Sequence, residues 1–163
     1  MEKLFLNSTE NAISSFNESL MKFLDRSVSP YHAVLEVSQL LSDAGFILLD
    51  EQASWSLKLG EKYFVVRGGS SIAAFVVGAK SQPEKGIRLL GAHTDSPVLA
   101  VKPQPDIKKE GLLQIGVEVY GGALLNPWFD RDLSVAGRVS FLEEGNFLRS
   151  SLVNFSEPIA FIP

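Results

Sequence analysis

The chain has 163 residues, 45% of them apolar and 21% charged, with a formal net charge of −4 and no cysteine. That suffices for one domain with a real core and falls short of a large two-domain enzyme, and the lack of basic excess argues against a nucleic-acid partner. Without cysteine there is neither a disulfide framework nor a thiolate ligand, so any metal must be held by His, Asp or Glu, in keeping with a reducing cytosol.

The N-terminal stretch MEKLFLNSTENAISSFNESLMKFLDRS is polar and acidic and carries no apolar core followed by a small-residue cleavage site. No apolar run reaches the roughly 18 residues of a membrane span, so a cytoplasmic protein without a membrane partner is expected. From Thr9 to Leu24 the apolar residues Ala12, Ile13, Phe16, Leu20, Phe23 and Leu24 keep helical spacing, which predicts an amphipathic helix. Ser29-Pro30 reads as an N-cap with proline in the first turn, and Ala33, Val34, Val37, Leu40 and Leu41 carry a second helix to a stop at Gly45.

Strands are expected next over Trp55–Leu59, Lys62–Arg67, Ile72–Gly78 and Ile87–Ala92, split by turns at Gly60, Gly68-Gly69 and the polar stretch Lys80–Gly86. The second and third of these read as a hairpin. The last, apolar at Ile87, Leu89, Leu90 and Ala92, suits a central strand covered on both faces. Two helices followed by these strands make an α/β layered domain.

Pro103, Pro105 and the charged run Asp106–Glu110 then punctuate the chain, and a domain boundary is placed after Lys102. Leu112–Val119, Ser134–Leu142 and Phe147–Phe155 follow as strands, with turns at Gly121-Gly122 and Glu144-Gly145-Asn146. The glycine pair reads as a turn needing positive φ or close backbone approach, since no phosphate-cradling GxGxxG or GxxxxGK pattern surrounds it. The closing VNFSEPIAFIP stays apolar to its last residue, unlike the end of a complete domain.

The candidate chemistry lies in IRLLGAHTDSPVLAVK, Ile87 to Lys102, where an apolar strand brings His93 and Asp95 to its C-terminal end. Two residues apart on an extended chain, they point to one side, as a metal-binding imidazole and its orienting carboxylate do. On spacing alone the plainer reading is favoured, a His bonded to a backbone carbonyl and an Asp capping a turn. His32, in the first turn of the second helix, reads as a surface or cap residue.

Two blocks decide between these readings: GAHTDSPVLAVKP, and VEVYGGALLNPWFDRDLSVAGRV from Val117 to Val139. With SPYHAV, AGF, YFVVR and AAFVVG earlier in the chain, they closely resemble the M18 family of metalloaminopeptidases, of the aspartyl aminopeptidase and aminopeptidase I type. The likeness spans essentially the whole chain, and HTDSP, YGG and WFDRDL in that order form a specific signature.

The resemblance implies the first part of a zinc-exopeptidase-like α/β sandwich, residues 1–103, followed by the start of a β-rich dimerisation domain, residues 104–163. It implies hydrolysis of peptide N-termini, acidic ones among them, by water activated between two zinc ions, with cobalt or manganese as substitutes. It also implies a large homo-oligomer built from dimers. His93 matches a family zinc ligand and Asp95 the carboxylate that orients it, while the other ligands and the general base fall outside this sequence. The chain alone is therefore expected to be inactive. Trp128, Asp130, Arg131 and Asp132 fit two roles: an Asp–Arg pair fixing a loop beside packed aromatics, or a loop reaching a neighbouring subunit. A competing expectation is a non-catalytic assembly or binding protein that keeps half of the peptidase fold, at the cost of exposed sheet edges and apolar surface.

Overall fold

The computed structural model describes the backbone of residues 2–78 and 86–163, with side chains from residue 11 onward. It is a mixed α/β chain that divides into two compact units, one ending at Thr94 and the other spanning Asp95–Pro163.

Helix α1, Glu2–Arg26, begins earlier than its apolar spacing predicts, and its stripe of Ile13, Phe16, Leu20 and Leu24 is exposed. Helix α2, Pro30–Asp43, has the expected ends. Ser29 is extended at φ −151° and its hydroxyl accepts the His32 amide, which satisfies one of the donors left open by the first turn. At the other end Gly45 adopts φ +80°, the Phe46 amide donates to the Leu41 carbonyl and the Gly45 amide to that of Ser42. This pairing of the last carbonyls needs the left-handed region, where glycine carries no steric penalty. Lys62 then sets its ammonium 5.5 Å from the centre of the Phe46 ring and 3.4 Å from the Ala44 carbonyl, a cation at the negative end of the helix.

Strands β1 (Ile47–Leu48), β2 (Lys62–Arg67) and β3 (Ser71–Val76) form one sheet in that order. The pair β1–β2 is parallel, with Ile47 opposite Tyr63, and β2–β3 is the expected hairpin, with Tyr63 opposite Phe75. Helix α2 packs on β2 and β3, and the buried apolar side chains Ala33, Val34, Tyr63 and Phe64 come from α2 and β2. This is the core of the first unit.

Two expected strands of this unit are absent. Trp55–Leu59 makes no ladder; side chains hold it instead, the Trp55 indole donating to the Asp50 carbonyl at 2.7 Å and the Lys58 amide to the Tyr63 hydroxyl at 3.0 Å. The Trp55 and Tyr63 rings both lie beside Phe75, with centroids 6.4 and 5.8 Å away. Ile87–Ala92 is also irregular, and Ile87, Leu89 and Leu90 are 93%, 88% and 96% exposed. A strand meant to be covered on both faces has no pairing partner for it among the described residues. The expected turn over Lys80–Gly86 lies, up to residue 85, outside the described residues.

In the second unit, β4 (Val98–Lys109) and β5 (Leu112–Tyr120) form a long antiparallel hairpin. Strand β4 thus runs through Pro103 and Pro105, where the sequence predicts an interruption. Val101 pairs with Val117 and Asp106 with Ile115, so residues 102–105 bulge opposite Gly116 alone. Proline lacks the amide that a ladder needs, and a bulge is where a strand tolerates it. Gly116 permits the bulge to close in: a Cβ there would lie 3.3 Å from the Pro105 carbonyl oxygen.

Strands β7 (Ala136–Glu143) and β8 (Phe147–Asn154) pair antiparallel through the expected Glu144-Gly145-Asn146 turn. Short β6 (Asp132–Leu133) pairs with β9 (Ala160–Phe161).

Candidate functional site

The chain turns from one unit to the other between Thr94 and Asp95, inside the HTD triplet. On the first side, Thr94 is half-buried and its hydroxyl donates to the Ser70 carbonyl at 2.8 Å, tying the segment to the β2–β3 turn. His93, one residue earlier, is exposed. On the second side, Asp95 is half-buried and its Oδ2 accepts the Tyr120 hydroxyl at 2.7 Å. A protonated phenol on a carboxylate at this distance is a charge-assisted bond, stronger than its neutral counterpart. The same bond, and the nearby carboxylate charge, push the Tyr120 phenol above its ordinary value near 10.

Tyr120 was not legible as a partner of Asp95 from spacing, because 25 residues separate them. The available signal lay in the antiparallel hairpin, which sets Tyr120 opposite Val98, just after Asp95. The glycine turn that follows starts with Gly121 at φ +70°, where an added Cβ would lie 3.6 Å from Pro97.

Downstream, Asn126–Trp128 is a short 3-10 turn. The Arg131 guanidinium donates to the Pro127 carbonyl at 3.3 Å, closing the loop on its own backbone. Asp130 takes φ +54°, a left-handed conformation that Asp tolerates better than most residues, and its amide donates to the Ile162 carbonyl at 2.8 Å. Asp132 opens β6 and is exposed, and Trp128 is half-buried. These four residues share one loop, which the last strand holds through the Asp132–Phe161 pairing. His32 faces Ser29, its Nδ1 2.7 Å from the Ser29 hydroxyl at the helix start.

A catalytic zinc takes three protein ligands and keeps one position open. Among the described residues no group of three or more His, Cys, Asp or Glu side chains is placed to hold a metal ion. An imidazole and a carboxylate are donor types that zinc and its surroundings use, and among the described residues His93 and Asp95 do not complete a site. No helix among them is long and apolar enough to cross a membrane.

The mixed α/β architecture and the HTDSP, YGG and WFDRDL segments match those of a peptidase family. A family model described as aminopeptidase I zinc metalloprotease (M18) matches residues 23–163, and the chain belongs to the M18 family. It is 51% identical over 147 residues to a probable M18 family aminopeptidase 2 of Stutzerimonas stutzeri, covering 90% of this chain and 34% of that protein. It is 52% identical over 150 residues to the Pseudomonas syringae protein of the same description, covering 92% and 35%. Among solved structures, yeast aminopeptidase 1 superposes with a TM-score of 0.83 at 31% identity, over 91% of this chain and 36% of that one. Aminopeptidase I from Borrelia burgdorferi gives 0.81 at 29% identity, over 96% and 38%. The chain spans about a third of the length of the curated relatives it matches.

Proposed function

We propose that the protein is a zinc-dependent aminopeptidase that removes N-terminal residues, acidic ones included, from peptides in the cytoplasm. The family match over residues 23–163 carries this reading. When bound, two zinc ions would lower the pKa of a bridging water and polarise the scissile carbonyl, with cobalt or manganese as substitutes. His93 would supply one imidazole ligand. Asp95 would accept a hydrogen bond from the N–H of the other ring nitrogen, fixing the tautomer and raising the basicity of the ligand. The remaining ligands and the general base would come from outside these 163 residues, so the chain by itself would not turn over peptide.

In the same proposal residues 1–103 open the catalytic domain and residues 104–163 the β-rich pairing domain, with Trp128, Asp130, Arg131 and Asp132 shaping a loop of the latter. Assembly into a homo-oligomer is supported by a solved relative, a dodecamer of the Saccharomyces cerevisiae mApe1 protein, which superposes with a TM-score of 0.81, and the proposal builds that oligomer from dimers. The test is His93→Ala in the protein expressed from its complete gene. Loss of bound zinc together with loss of hydrolysis of an N-terminal aspartyl or glutamyl peptide is expected, and full zinc content and activity would refute the assignment.

A further inference from the structure

Two motifs of the sequence, HTDSP and YGG, meet at one end of the β4–β5 hairpin, yet the proposed chemistry uses only the first. The register that sets Val98 opposite Tyr120 brings the phenol to Asp95, where it donates to Oδ2 at 2.7 Å. The next residue, Gly121, has φ +70°, and a Cβ built on it would sit 3.6 Å from the Cα, Cβ and Cγ atoms of Pro97. The segment from Asp95 to Val98 is thus held twice, by a hydrogen bond from Tyr120 and by the strand pairing of Val98 with Tyr120.

Tyr120 is itself 50% exposed, so ring burial is not what the position chiefly supplies. Its hydroxyl is spent on the carboxylate. A carboxylate pivots about its Cβ–Cγ bond, and a short charge-assisted bond to one oxygen fixes its plane and therefore the direction of the other oxygen.

We propose that Tyr120 is a positioning residue of the metal centre, holding the Asp95 carboxylate in the orientation from which it orients the His93 imidazole. This rests on the reading of His93 as a zinc ligand.

The experiment uses the protein expressed from its complete gene and measures affinity for Zn²⁺ alone, by competition with a chromophoric chelator. Asp95→Ala weakens zinc by about 10- to 100-fold, as loss of an orienting carboxylate does, and Tyr120→Phe, one layer further out, by about three- to tenfold. In the Asp95→Ala background, adding Tyr120→Phe costs nothing more, because the hydroxyl acts only through that carboxylate. An equal loss from Tyr120→Phe in both backgrounds would show a general hairpin effect and overturn the proposal. So would wild-type affinity in Tyr120→Phe beside a weakened Asp95→Ala, while leaving the zinc reading standing. Wild-type affinity in His93→Ala would bring down the zinc reading and this inference with it.

Discussion

Replacing Gly116 tests whether the proline bulge of β4 is built on a missing side chain. Gly116 lies in β5 outside the left-handed region, so backbone conformation does not exclude a larger residue there; space does. An alanine Cβ would lie 3.4 Å from Ile107 Cδ1, a side-chain end that moves away readily, but 3.3 Å from the Pro105 carbonyl oxygen and 3.6 Å from Pro105 Cα. Those are backbone atoms in a segment where two prolines fix φ, so they yield poorly. Overpacking of this kind costs about 1–3 kcal/mol, and the reduced freedom of the unfolded chain returns about 0.4–1 kcal/mol. Gly116→Ala is therefore expected to destabilise the hairpin by about 1 kcal/mol, and Gly116→Val, with two further methyls, by about 3 kcal/mol. Hydrogen exchange followed by mass spectrometry reads the local opening directly, and amides of residues 98–120 should exchange about fivefold faster in the first variant and more than a hundredfold in the second. Gly137→Ala in β7 is the control, since nothing lies within 4 Å of its Cβ and its exchange should be unchanged or slower. Unchanged exchange in Gly116→Val would refute the close-approach argument.

Further outcomes follow from the same structure. Phe64, 2% exposed at the centre of the first unit, should cost about 3–5 kcal/mol when changed to Ala, measured as a lowered thermal midpoint of the complete protein. In an alkaline absorbance titration, Tyr120 should ionise above the ordinary phenol range and return toward it in Asp95→Ala. The folded state then holds that proton more tightly than the unfolded chain, so the stabilisation is full below the unfolded pKa and is lost as pH rises through the folded one. A Tyr120 titration unmoved by Asp95→Ala would contradict the hydrogen bond. Ser29→Ala should remove the cap of α2 and cost about 1 kcal/mol, whereas Ser29→Asp should retain most of it, as read by thermal unfolding.

Local signals were legible wherever a few neighbouring residues decide the structure. Ser29-Pro30 and Gly45 bracket α2 because caps act within one turn, and the β2–β3 and β7–β8 hairpins were readable from their glycine-containing turns. Where a distant partner decides, sequence reading failed. The alternation of Trp55, Leu57 and Leu59 imitates a strand, but the indole and the Lys58 amide bond to Asp50 and Tyr63 instead of to a ladder. The apolar run at Ile87 shows what a strand would bury without showing what it would pair with.

The prolines of β4 were read as a break because their tolerance depends on Gly116 across the hairpin. A glycine inside an apolar strand was the clue to a bulge. At the proposed site, His93 and Asp95 drew attention because only Thr94 separates them in sequence. Tyr120 did not, since the motif around it stood out through its glycines. The family was legible throughout, from HTDSP to WFDRDL, and the match over residues 23–163 agrees with it.

The central claim, that His93 is a ligand of a zinc centre, is tested most directly by crystals of the protein expressed from its complete gene, grown with its native metal and measured on both sides of the zinc absorption edge. The account predicts an edge-dependent peak about 2.0–2.1 Å from a His93 ring nitrogen, with the Asp95 carboxylate on the opposite nitrogen. A fully occupied zinc centre with His93 turned away from it, or no zinc peak in active protein, would contradict the account.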